Sequence, residues 1–332
     1  MKNILSRKKI FQIFPFLITI AYTIGILIFP AEVSQSVIDS LKLCVFSVIP
    51  SLFPFLISVN MITNMHYFDF FGKALYKMMP RLFSVNGVFS SSLLLGLIGG
   101  YPMGGVIIAL LYKSNACRKE EAERALAFCN NCGPAFILGI VGNSIFSSTR
   151  TGIYLYAIHI SSALITGIIF RFFSPVSQQN SYFERKKEIE NVSFSKCFTT
   201  SISSALKSSL QISAYIIFFS VFITLLVQSE ILLPLSALIS SISGIPQKAT
   251  AAFLYGLFEM TSGIFSLSAV AETELTFALS SFLLGWGGFS VHFQTRSMFS
   301  DCNISTKQYY IGKLLHGTIS FILAGVTAII IF

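Results

Sequence analysis

The sequence predicts an all-α polytopic membrane protein that contains an inverted structural repeat, with two re-entrant helical hairpins and two broken transmembrane helices. Three observations lead to this class. The 332 residues are 54% apolar and only 11% charged, about half the charged fraction of a water-soluble domain. Apolar runs of the roughly 20 residues needed to cross a hydrocarbon core recur along the whole chain. Other apolar runs of similar length are cut by Gly, Pro and Asn at positions that correspond between the two halves.

Residues 1–35 read as an N-terminal transmembrane anchor. Lys2, Arg7, Lys8 and Lys9 precede the apolar run 10–29, which ends in Phe29-Pro30-Ala31-Glu32 without a small-residue cleavage site, so the span is retained. The first repeat covers 36–173. It opens with a smooth span at 41–62 and continues with a segment at 69–83 that is too short and polar to cross and suits the interface. A hairpin at about 87–113 follows, then a broken helix at about 122–146 and a closing span at 150–173. A polar, cytoplasmic linker occupies 174–200. The second repeat, 201–332, has the same order: span 210–227, interfacial segment 231–243, hairpin about 248–270, broken helix about 275–293, closing span 309–332.

Charge placement tests this topology, because Lys and Arg accumulate on the cytoplasmic side. With the N-terminus inside and each hairpin entering and leaving on one face, only Lys42, Arg150 and Lys248 of the 23 basic residues lie outside. Lys307 and Lys313 count among the cytoplasmic set. The net charge of +9 is then topological, and the expected partners are the lipid bilayer and a small molecule, not nucleic acid. The topology leaves room for a homo-oligomer. The six Cys residues are scattered through or beside apolar stretches and are expected to be free thiols. His66, His159, His292 and His316 are far apart in this topology and show no ligand spacing, so neither a metal nor another cofactor is expected.

Non-helical backbone at membrane depth leaves peptide groups unsatisfied unless they are buried in protein or line a polar cavity. The four breaks are therefore the candidate substrate site. In the first hairpin Gly99, Gly100, Tyr101, Pro102, Gly104 and Gly105 expose N–H groups unshielded by side chains, and the half-helix after Pro102 starts with the positive end of its dipole. Asn130, Asn131 and Gly133 form the second break; their amides either orient a substrate or cap the broken helix. Glu259, Thr261, Ser262 and Gly263 form the third, and Gly287 and Gly288 the fourth. A charge near the bilayer centre costs about 2.5–3.5 kcal/mol on insertion scales. Glu259 is therefore expected to bind substrate or a cation, to carry a proton, or to sit in a salt bridge.

These motifs resemble a known family. Gly100-Tyr101-Pro102-Met103-Gly104-Gly105, Phe128-Cys129-Asn130-Asn131-Cys132-Gly133-Pro134, Gly256-Leu257-Phe258-Glu259-Met260-Thr261-Ser262-Gly263 and Gly285-Trp286-Gly287-Gly288-Phe289-Ser290 are similar to elements of the sporulation integral membrane protein YlbJ (SpoVV) family, over about residue 35 to the end. Cys129 and Cys132 depart from the Ser- or Ala-like residues expected there. The resemblance implies a relation to the nucleoside-transporter gate fold and a place in the outer forespore membrane of a spore-forming bacterium. It also implies movement of dipicolinic acid from the mother cell. A transporter without covalent chemistry, not an enzyme, is the expectation. A nucleoside or other small polar metabolite as substrate, and a structural or assembly protein that moves nothing, remain alternatives.

Overall fold

The computed structural model describes residues 2–65, 75–173, 193–270 and 274–331. Among them the secondary structure is helical throughout. Helix α1 (Lys2–Ile28) runs to Pro30, which starts α2 (Pro30–Leu43). A π-helical stretch, Cys44–Val48, joins α2 to α3 (Ile49–Asn64) without a turn, so the expected span 41–62 is the second part of one longer helix. The short α4 (Met78–Phe83) ends at Ser84 in the left-handed region. It belongs to the expected interfacial segment 69–83, whose residues up to 74 lie outside the described set.

Each expected interruption is a real one. Helices α5 (Ser90–Gly99) and α6 (Met103–Lys113) flank the first break. Helix α7 (Lys119–Cys129) and the π-helical α8 (Ala135–Ile145) flank the second, before α9 (Thr149–Phe173). The second half begins with α10 (Phe194–Gln228) and α11 (Leu232–Ser243). Helices α12 (Gln247–Phe258) and α13 (Met260–Ser268) flank Glu259. Helices α14 (Glu274–Trp286) and α15 (Gly288–Met298) flank Gly287, and α16 (Lys307–Ile331) closes the chain. Most of the expected linker, 174–192, lies outside the described residues; its last part, from Phe194, is already α10.

Among the described residues, four helices are long and apolar enough to cross a membrane, within Pro30–Ile62, Thr149–Phe173, Phe194–Gln228 and Lys307–Ile329. Their outward faces are greasy: Phe46 and Phe172 are each 77% exposed. Such exposure is costly in water and natural in lipid. Helix α10 has 35 residues, about 52 Å at the α-helical rise, and so outruns a hydrocarbon core of about 30 Å.

Inside, one core joins the halves through Phe136, Ile137, Ile140, Ile264, Leu267 and Leu283. A second gathers Phe83, Phe89, Ile108, Phe128 and Tyr309 around α7. The helices meet at glycines. A Cβ on Gly285 in α14 would stand 2.8 Å from the Cα of Gly317 in α16, and one on Gly263 in α13 would stand 2.1 Å from the Cα of Gly256 in α12. Only the missing side chains allow such backbone contact.

All six cysteines are free thiols. In the loop between α6 and α7, burial, aided by the negative charge of Glu121, pushes the Cys117 thiol up to about 12. Only the thiolate alkylates. Labelling of Cys117 near neutral pH should thus run roughly three orders of magnitude below that of an ordinary exposed thiol, and rise with pH to well beyond 9. Peptide mapping after timed maleimide labelling measures this; rapid labelling at pH 7 would contradict the half-buried placement.

Candidate functional site

The four breaks converge. Between them lies a pocket with about 590 Å³ of unfilled space, part of it open to the surface. Gly99, Gly100 and Tyr101 from the first break line it, with Cys132 and Gly133 from the second and Glu259, Met260 and Thr261 from the third. Ser290, Val291 and Gln294 of α15, Tyr215 of α10, Leu52 of α3 and Ala135 of α8 add to the wall.

Each break has its own cause. At the first, Gly100 takes φ of 76° and its carbonyl accepts from Met103 N, which restarts the helix after a cis Tyr101–Pro102 bond. A Cβ at Gly100 would lie 2.8 Å from Gly133 N, so the first and second breaks touch backbone to backbone. At the second, Asn130 and Asn131 are fully buried. The Asn130 side chain accepts from Gly105 N at 3.2 Å and donates to Thr295 Oγ1 at 2.9 Å. Asn131 Nδ2 donates to Phe128 O at 2.7 Å, a carbonyl stranded at the end of α7. At the third, Glu259 is extended and caps α13: its two carboxylate oxygens accept from Thr261 N at 3.0 Å and Ser262 N at 2.6 Å. The anion at this helix N-terminus is thus the protein's own carboxylate. At the fourth, Gly287 and Gly288 have φ of 88° and 76°, in the left-handed region that side chains resist.

Of the residues expected to bind substrate, Gly99, Gly100, Tyr101, Gly133, Glu259 and Thr261 share the pocket wall. The others lie outside this wall and meet protein groups. The Asn130 side chain accepts from Gly105 N and the Asn131 side chain donates to Phe128 O. Gly104 packs on the Cys129 carbonyl, Gly105 faces Asn130, and Gly263 packs on Gly256. Pro102 precedes α6 as its N-cap, and the Ser262 hydroxyl pairs with Ser220 of α10 at 3.1 Å. Gly287 lies beside the Tyr101 hydroxyl and Gly288 against Met260 N and Phe258 O. Asn130→Ala should leave the Gly105 N–H without its acceptor at a cost of about 1–3 kcal/mol, while Thr295 Oγ1 keeps Val291 O and Tyr309 Oη. Thermal unfolding in detergent measures it, and an unchanged midpoint would show that the amide is not needed there.

Two expectations need correction. Lys313 is not a cytoplasmic charge: it is fully buried. Its Nζ donates to Tyr101 Oη at 3.1 Å and to Asn131 Oδ1 at 3.5 Å, and lies 3.5 Å from His316 Nδ1. The histidines are not all far apart either, since the rings of His159 and His316 pack with centroids 4.5 Å apart. His159 Nε2 accepts from Cys132 N at 3.0 Å, so this ring also braces the second break. His292 pairs instead with Tyr309 Oη at 3.0 Å, and His66 lies outside the described residues. Among the described residues no group of three or more His, Cys, Asp or Glu forms a metal-holding cluster. The missed signal for Lys313 was positional. It stands seven residues into α16, where Gly312, His316 and Gly317 follow helical spacing on the same face.

No family profile matches the chain, and no solved structure does. A curated relative does: the "Sporulation integral membrane protein YlbJ" of Bacillus subtilis (strain 168) is 30% identical over 295 residues, covering 81% of this chain and 71% of the relative. With its long lipid-exposed helices, this chain is a multi-pass integral membrane protein, and it belongs to the YlbJ family of sporulation integral membrane proteins.

Proposed function

We propose that this chain is a transporter of a small anionic metabolite, and that its cargo is dipicolinic acid moved from the mother cell across the outer forespore membrane during sporulation. The observation that carries the reading is the pocket on which the broken helices converge. Broken helices around a shared cavity are the way transporters present backbone dipoles to a substrate at mid-membrane. The N-terminal end of α8 opens on this pocket at Gly133 and Ala135, while the corresponding end of α13 is occupied by Glu259. Among the described residues no protein carboxylate sits at the α8 end as Glu259 sits at that of α13, which favours a ligand carboxylate there. The relative's name supports sporulation and a membrane.

The same reading makes the two halves inverted copies, supported by their shared order of long helix, short helix, helical hairpin, broken helix and closing helix. It makes the α5–α6 and α12–α13 hairpins re-entrant and puts the N-terminus in the cytoplasm. Cysteines introduced at Asn86 and Lys113 should label from the same side of the membrane. Labelling from opposite sides would refute the hairpin topology. No covalent step and no cofactor enter the mechanism.

A second substrate reading rests on the Glu259 carboxylate and the neutral polar Thr261, Ser290 and Gln294 in the pocket wall, which suit an uncharged nucleoside better than a dianion. Uptake of labelled dipicolinate and labelled uridine into proteoliposomes decides between them. Dipicolinate is expected to accumulate; accumulation of uridine alone would overturn the substrate assignment, and accumulation of neither would overturn transport of both.

A further inference from the structure

Lys313 is a cation where membrane proteins can least accommodate one. It is completely buried in α16, and among the described residues no carboxylate lies within ion-pair distance of it. The geometry around its nitrogen accommodates an ammonium. His316 Nε2 faces the His159 carbonyl oxygen at 3.1 Å; a carbonyl only accepts, so Nε2 carries the hydrogen and Nδ1 of the neutral ring is an acceptor. Asn131 Nδ2 donates to Phe128 O, which turns Oδ1 toward the lysine. With Tyr101 Oη, Nζ therefore meets three acceptors. Three acceptors suit an ammonium; a neutral amine would instead have to take the Tyr101 proton on its lone pair. The charge also lies 5.2 Å from the centre of the Tyr101 ring.

Tyr101 belongs to both places at once: it lines the pocket and it accepts from Lys313. Because its oxygen is engaged by the ammonium, its own proton is left for another acceptor. Among the described residues no protein group takes that proton. A phenol that accepts from a cation is polarised toward donation, and donation is strongest to an anion. A buried cation without a carboxylate partner likewise favours an anion entering beside it.

We infer that Lys313 is a positioning residue for anion selectivity: through the Tyr101 hydroxyl it presents its charge to the pocket, so that a carboxylate-bearing ligand is preferred over an uncharged one of the same shape. This rests on the transporter reading, which supplies the anion. Lys313 need not touch the ligand.

The test compares dipicolinate with pyridine-2,6-dicarboxamide, its uncharged near-isostere, by binding to the purified full-length protein. Wild type is expected to prefer the dianion. Lys313→Met should weaken dipicolinate roughly 10- to 100-fold, the change that loss of a hydrogen bond to a charged group produces. Amide binding should change little, and retained amide binding doubles as the check of folding. Tyr101→Phe keeps the lysine, and should lower the same preference if the hydroxyl is the link. The double variant should be no worse than Lys313→Met alone, because the two act in series. Equal loss for both ligands in Lys313→Met would make the lysine structural and overturn the inference, as would an unchanged preference in Tyr101→Phe or a wild type that does not discriminate. A wild type that binds amide but not dipicolinate, or neither, would overturn the anion-transport reading as well.

Discussion

Gly96→Ala is expected to leave little folded protein. A Cβ at Gly96 in α5 would stand 1.7 Å from the Cys129 carbonyl oxygen and 2.9 Å from its carbon, and one at Gly104 in α6 would stand 2.1 Å from the same oxygen. The hairpin thus clamps the last carbonyl of α7 from two sides, and the opposing atoms are backbone, which cannot rotate away. Overpacking costs typically about 1–3 kcal/mol; here the upper end or beyond applies, against a total stability of about 5–15 kcal/mol. Gly104→Ala should behave similarly. Gly105→Ala is the internal control, since its nearest neighbour would be Asn130 Oδ1 at 3.6 Å, an ordinary contact. Size-exclusion profiles and melting midpoints in detergent measure all three. Should Gly96→Ala and Gly105→Ala melt alike, the clamp on Cys129 does not exist.

Glu259→Ala is expected to have the second large effect. It removes the acceptor for Thr261 N–H and Ser262 N–H at the start of α13. Loss of an N-cap costs about 0.5–2 kcal/mol and each orphaned buried donor about 1–3 kcal/mol, so at least about 2 kcal/mol is expected. Glu259→Gln retains one oxygen and points an amide hydrogen at a donor, and should fall between wild type and alanine. Because Ala leaves an empty anion seat at a helix N-terminus, formate or acetate should restore part of the lost melting midpoint in Glu259→Ala and none in wild type. Under the transporter reading, dipicolinate uptake should fall in the same order, Ala below Gln below wild type. Equal stability of the three proteins would remove the carboxylate from the architecture of α13.

What could be read in advance followed from physics local to a segment. Gly100 and Pro102, Asn130 and Pro134, and Gly287 and Gly288 are visible breakers in apolar surroundings, and the chain breaks at each place. The continuous helix from Pro30 to Asn64 was harder to see, because Pro30 starts a helix as readily as it ends one, and the π-helical stretch at Cys44–Val48 has no breaker to mark it. Helix α10 begins at Phe194, ahead of its apolar run, since Ser- and Thr-rich sequence that reads as linker is helical once packed on α3. The polar cluster was illegible for a different reason. Tyr101, Asn131, His159 and Lys313 come from four separate stretches, and only the docking of α16 against α7 and α9 makes them neighbours. A rule that sorts lysines by membrane side has no way to detect one that faces inward.

The backbone contact between Gly256 and Gly263 bears on how the pocket can change shape. With no side chains between them to act as a cushion, α12 and α13 have nothing to compress and little room to pivot, so a displacement of one must drag the other along. Glu259, fastened to the front of α13, would travel as cargo on that stiff unit, and rearrangement must be taken up at its seams with α10 and α14 instead of within it.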